Sequence, residues 1–202
     1  MNFNSTTIPP LLGPELWQFR QWSLCEELLI SSQFPFERGR PFSQIKILGS
    51  NGPLRFSIPV KKHPSGSPLS DILMDHTQKW QNQIWRSLVT CYKKSPYFDF
   101  YQKELETLFY RRPEFLVDFT QPVFIWLLKQ YFPKKSVSVI LAPEFQSGRI
   151  EKPYDFSPEM DEKAENNLWK YARVFGQEFE SRVSVWDALF CMGPNFGINK
   201  TE

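Results

Sequence analysis

The chain has 202 residues, 41% hydrophobic and 16% aromatic, and 24 Lys and Arg against 22 Asp and Glu leave a net charge of +2. That length fits one domain with an adequate core, and 19 Phe with 7 Trp make it a core of rings, rigid and hard to repack. The basic residues are scattered in pairs, Lys61-Lys62, Lys93-Lys94, Arg111-Arg112 and Lys134-Lys135, which argues for a solvated surface and no nucleic-acid partner, since a phosphate-tracking groove gathers its cations into a stripe.

From the N-terminus, MNFNSTTIPPLLGPE has no basic start and no apolar run before a small-residue cleavage site, so no secretory signal is expected. Glu26–Ser31, Gln44–Leu48 and Leu54–Val60 are short apolar or alternating runs. The latter two flank Gly49-Ser-Asn-Gly-Pro53, whose Asn-Gly pair predicts a hairpin. The loop His63–Pro68 is too rich in Pro, Gly and Ser for regular structure. The period then becomes helical: Trp80, Ile84, Leu88 and Tyr92 recur every fourth residue, Trp85 and Val89 widen the stripe, and Pro96 ends the helix near Lys94. Further helices are predicted over 97–110 and from about Phe119 to Tyr131, stopped by Pro113 and Pro133.

Val123–Leu128 is the longest strongly apolar run, far short of the roughly 18 residues of a membrane span; a cytoplasmic protein without a membrane span is expected. Ser136–Leu141 reads as a strand, and 144–166, polar and without period, as a long surface loop. Val183–Met192 has helical spacing and stops at Gly193-Pro194, with Ser184 and Asp187 spaced as a capping pair. The order of elements predicts a mixed α/β or α+β single domain over 1–202, a small mixed sheet with an N-terminal hairpin and a helical middle.

Chemistry-bearing residues are sparse. Cys25, Cys91 and Cys191 are odd in number and far apart, as expected of buried reduced thiols; no metal-ligand spacing and no cofactor motif is present, so metal and cofactor are both expected to be none. The only histidines, His63 and His76, fall in or beside the loop after the hairpin. Pairing His76 with Asp75 as base and orienter is disfavoured, because adjacent residues rarely face each other. There is no nucleophile elbow or glycine-rich phosphate loop. Asp187, between Trp186 and Leu189, is the most suggestive carboxylate, with a cap or an arginine pair the commoner explanation; the aromatic stripe at 80–92 reads chiefly as core.

Read together, IKILGSNGPLRFSIPVKK, KWQNQIWRSLVTCYKKSPYFDFYQKELETLF, YARVF and VSVWDALFCMGP resemble the WbqC-like family in its short form from Bacteroidetes-type bacteria, carried by Gly52, Pro59-Val60, Trp80, Tyr92, Ser95-Pro96-Tyr97-Phe98, Tyr171, Phe175, Ser184 and Asp187. The resemblance implies a link to O-antigen-type polysaccharide biosynthesis or modification, with aminoacyl or acyl transfer to sugars as the expected chemistry. It also marks departures. A Gln-Pro opening is replaced around Ile8–Pro14, an Asn-Arg pair before the first hairpin strand falls on Ser43 and Gln44, and a histidine before the second tryptophan of the central helix is Ile84. Such losses fit a fold retained while its activity is relaxed or lost.

Two readings follow. In the first, a transferase takes a sugar or nucleotide-sugar ligand, with Asp187, Tyr171 and Ser184 as catalytic residues and Lys61, Arg173, Trp80 and Tyr92 as substrate-binding residues. In the second, the same fold is a non-catalytic binding or scaffold protein for a protein partner, its aromatics anchoring the interface.

Overall fold

A computed structural model describes residues 5–140, 174 and 184–194. The expected mixed class is found, with the strands divided between two small sheets. In chain order they are β1 (Ser5–Ile8), α1 (Leu16–Ser23), β2 (Glu27–Ser31), β3 (Gln44–Gly49), β4 (Gly52–Ser57), a 3-10 turn (Leu69–Asp71), α2 (Trp80–Tyr92), α3 (Phe98–Phe109), α4 (Leu116–Tyr131), β5 (Ser136–Ile140) and α5 (Val185–Met192).

The first sheet is parallel in the order β1-β2-β5, with Ser5 opposite Glu27 and Glu27 opposite Ser136. Parallel neighbours need a crossover, and α1 supplies the one between β1 and β2. The hairpin β3–β4 is separate and antiparallel; Gly49 pairs with Gly52 across a two-residue connection, and Gly52 closes it at φ 108°, a conformation that costs glycine nothing.

Helices α2, α3 and α4 bury one face each; of the predicted stripe of α2, Trp80, Ile84, Trp85, Leu88 and Tyr92 are buried and Val89 is half-buried, and Cys91 joins the buried set. α4 begins one turn before the predicted start, at Leu116. The core is built from rings in contact: Trp186 of α5 stacks on Trp126 of α4 at 5.9 Å and 13° and meets Phe109 of α3 edge-on. Phe19 of α1 meets Tyr131 edge-on at 5.0 Å. All three cysteines are buried, and none of them is in a disulfide. The 144–166 segment lies outside the described residues.

Candidate functional site

The described residues singled out in the sequence fall into two places. The first is the N-terminus of α5, pinned to the rest of the chain by backbone: Ser184 N–H donates to Lys46 C=O at 3.0 Å, Val185 N–H to Pro14 C=O at 2.8 Å, and the Trp186 indole N–H to Leu12 C=O at 2.7 Å. The Leu12–Glu15 segment runs close to β3 there, so close that a Cβ on Gly13 would stand 2.4 Å from the carbonyl oxygen of Gln44. Ser184 and Asp187 are each 1% exposed.

The expected capping pair is not formed. The Ser184 side chain makes no cap hydrogen bond, and its Oγ is buried without a partner. The Asp187 carboxylate instead accepts from the Tyr92 hydroxyl at 2.7 Å, and that hydroxyl accepts from the Leu48 amide at 3.1 Å. One phenol thus ties α5 to α2 and β3. Burial, reinforced by the neighbouring Asp187, pushes the Tyr92 phenol well above its ordinary range; burial does the same to Tyr131, whose hydroxyl donates to Val185 C=O at 3.0 Å. A neutral phenol is the form that can donate to the carboxylate.

The second place is open. Three loop segments run side by side, joined by backbone: Lys61 N–H donates to Leu73 C=O at 2.9 Å, Asp75 N–H to Pro59 C=O at 2.9 Å, Met74 N–H to Glu114 C=O at 2.9 Å, and Leu116 N–H to Ile72 C=O at 2.8 Å. Together they frame a cleft of about 430 Å³, whose lining includes Lys61, Asp75, His76, Thr77, Arg112 and Glu114. A second cleft of about 360 Å³ shares His76, Thr77 and Arg112 and continues along the start of α2 to Lys79, Asn82 and Tyr110. Both volumes fall in the range of roughly 300–1,000 Å³ typical of small-molecule sites.

His76 and Asp75 do not form a base and its orienter. Asp75 Oδ1 accepts the Thr77 amide at 2.9 Å, which, with Lys61 and His76 nearby, holds its carboxyl below the ordinary 3.8. His76 Nε2 lies 2.8 Å from the Pro113 carbonyl oxygen. A carbonyl can only accept, so Nε2 carries the proton and Nδ1 the lone pair in the neutral ring; Nδ1 is buried without a partner. The ring is half-buried at the junction of the two clefts.

Lys61 therefore lies in a cleft, Tyr92 and Asp187 meet inside the core, and Trp80, 3% exposed, packs edge-on against Phe119 at 5.2 Å. Tyr171 and Arg173 lie outside the described residues. Sequence reasoning passed over Arg112, taken as half of a surface pair, because only the pairing of Leu73 with Phe115 and of Val60 with Met74 brings it beside Lys61. A third, shallower recess of about 170 Å³ is lined by Glu15, Gln44, Lys46 and Arg55. Of the positions at which the resemblance implied departures, Gln44 lines this recess, while Ile8 and Ile84 are core. Among the described residues no group of three His, Cys, Asp or Glu is placed to hold a metal, and no helix is long and apolar enough to cross a membrane.

No curated protein and no solved structure matches the chain. The profile of the WbqC-like family matches residues 10–149, a stretch that holds every described element from α1 to β5 and both clefts and that ends before Ser184 and Asp187. With more than half of its length matched in this way, the chain belongs to the WbqC-like protein family.

Proposed function

We propose that the protein is a transferase-like enzyme of cell-surface polysaccharide assembly that takes an anionic sugar derivative, a nucleotide sugar above all, in the cleft between Lys61 and Arg112. The observation that carries this reading is that those two cations line one cleft together with His76. Arg presents a fork of donors that matches a phosphate or carboxylate, and Lys adds a mobile point charge. In this reading Asp187, Ser184 and Tyr92 hold α5 in place and do not touch the ligand, because each is 1% exposed. A thermal-shift series against nucleotide sugars, amino acids and acyl donors tests it: a ligand at a hundred times its Kd stabilises by about 2.7 kcal/mol. The shift is expected with a nucleotide sugar and is lost in Lys61→Ala/Arg112→Ala; silence from the folded wild-type protein across the panel removes the reading.

One observation favours the scaffold alternative. Phe100 of α3 is 80% exposed and Tyr97, one turn before it, is 40% exposed, and aromatic anchors of this kind mark protein interfaces. A monodisperse monomer that binds nucleotide sugars equally well as Phe100→Ala and as wild type would sink this alternative.

A further inference from the structure

Tyr110 stands at the rim of the second cleft, 43% exposed. Three contacts hold it. Gln81 of α2 donates its side-chain amide to the carbonyls of Phe109, at 3.0 Å, and Arg111, at 2.6 Å, the two residues that flank Tyr110 in the chain. One amide thus pins the backbone on both sides of the ring. The edge of the ring leans on Trp85, centroids 6.4 Å apart at 69°. The backbone that carries this ring is held before any ligand arrives, and a preorganised position loses less entropy on binding.

The same cleft is lined by Gln78, Lys79, Asn82 and Arg112. Side-chain amides donate and accept at once, which suits vicinal hydroxyls, each of which also does both. The electron-rich face of a phenol attracts the slightly positive C–H face of a pyranose. A ring with amides in the same lining is therefore chemistry for a neutral sugar, whereas the first cleft, where Lys61 and Arg112 stand among Asp75 and Glu114, offers the charged donors that an anion takes.

We infer that the cleft at Tyr110 is a subsite for a neutral pyranose, stacked on the Tyr110 ring and hydrogen-bonded by Asn82 and Gln78. The inference rests on the sugar-directed reading above and adds a second substrate position to it. Because His76, Thr77 and Arg112 line both clefts, a pyranose on Tyr110 and an anionic sugar between Lys61 and Arg112 are neighbours, as the acceptor and donor of a transfer must be.

The test is saturation-transfer NMR on the full-length protein with methyl hexopyranosides as the probe, run beside the thermal shift with a nucleotide sugar. Saturation of at least one pyranoside is expected with wild type, lost at least tenfold in Tyr110→Ala, kept in Tyr110→Trp, and unchanged in Phe100→Ala, which removes an exposed ring elsewhere. Circular dichroism melting of each variant shows that it folds. Equal saturation in wild type and Tyr110→Ala, or none with wild type, overturns the subsite whatever the nucleotide sugar does. A nucleotide-sugar shift that survives in Tyr110→Ala leaves the anion cleft standing on its own; a missing shift beside Tyr110-dependent pyranoside binding keeps the subsite and removes the donor reading.

Discussion

The N-terminus of α5 and the paired clefts at the start of α2 both collect polar side chains, but they treat them in opposite ways. At α5, Asp187 and Tyr92 are enclosed by rings and spend their hydrogen-bonding capacity on one another and on the Leu48 amide. At the clefts, Lys61 and Arg112 are exposed side chains on segments held together by backbone hydrogen bonds, and the Asp75 carboxylate lies close enough to Lys61 to feel its charge. A buried carboxylate with a neutral donor in hand is stabilising and occupied; an exposed cation over a fixed backbone contributes little to stability and is available. Polarity inside a core therefore points to architecture here, and polarity over a pinned loop is where the proposed binding falls.

The sharpest break between the two regions is in stability. Trp186→Ala removes the ring that stacks on Trp126 and the donor to Leu12, and a loss of about 3–5 kcal/mol is expected in urea unfolding. Tyr92→Phe keeps the ring but leaves the Leu48 amide and the Asp187 carboxylate each one partner short, which costs about 2 kcal/mol, while nucleotide-sugar binding is unchanged.

Alkali separates the regions again. Tyr92 and Tyr131 are both raised above the ordinary phenol value of 10.0, so their contribution is fully present below pH 10 and is lost as pH rises above it, where the unfolded phenols ionise and the folded ones do not. Each contributes up to about 1.4 kcal/mol per pH unit in that window. Melting temperatures measured from pH 9 to 11 should fall less steeply in Tyr92→Phe than in wild type; parallel slopes would mean that Tyr92 is open to water.

The smallest effect on folding is expected at the clefts. Lys61→Ala and Arg112→Ala should each shift stability by less than about 0.5 kcal/mol, a change that urea unfolding resolves from the Tyr92→Phe loss.

Local chemistry was the readable part of the fold. Asn51-Gly52 announced the hairpin, the fourfold spacing from Trp80 to Tyr92 announced α2, and Pro96, Pro113 and Pro133 each fall just beyond a helix end. α1 went unread because eight residues give barely two turns, although Leu16, Phe19 and Trp22 at spacing three carry its buried face. β1, with the sequence Ser-Thr-Thr-Ile, is a strand only because β2 lies alongside it. The Ser184–Asp187 spacing suggested a cap, yet the partner that won is 95 residues away in the chain. The clefts were illegible for the same reason: Lys61, His76 and Arg112 are brought together by bridges between distant loops, which no local pattern around any of the three announces.

The most direct measurement is the nucleotide-sugar thermal shift in two variants side by side, Lys61→Ala/Arg112→Ala and Tyr92→Phe. The account predicts a double variant that melts near the wild-type temperature and has lost the shift, and a Tyr92→Phe protein that melts lower and keeps it. A double variant that keeps the shift while Tyr92→Phe loses it would place the ligand at Asp187 and contradict the division between a structural core cluster and a binding cleft.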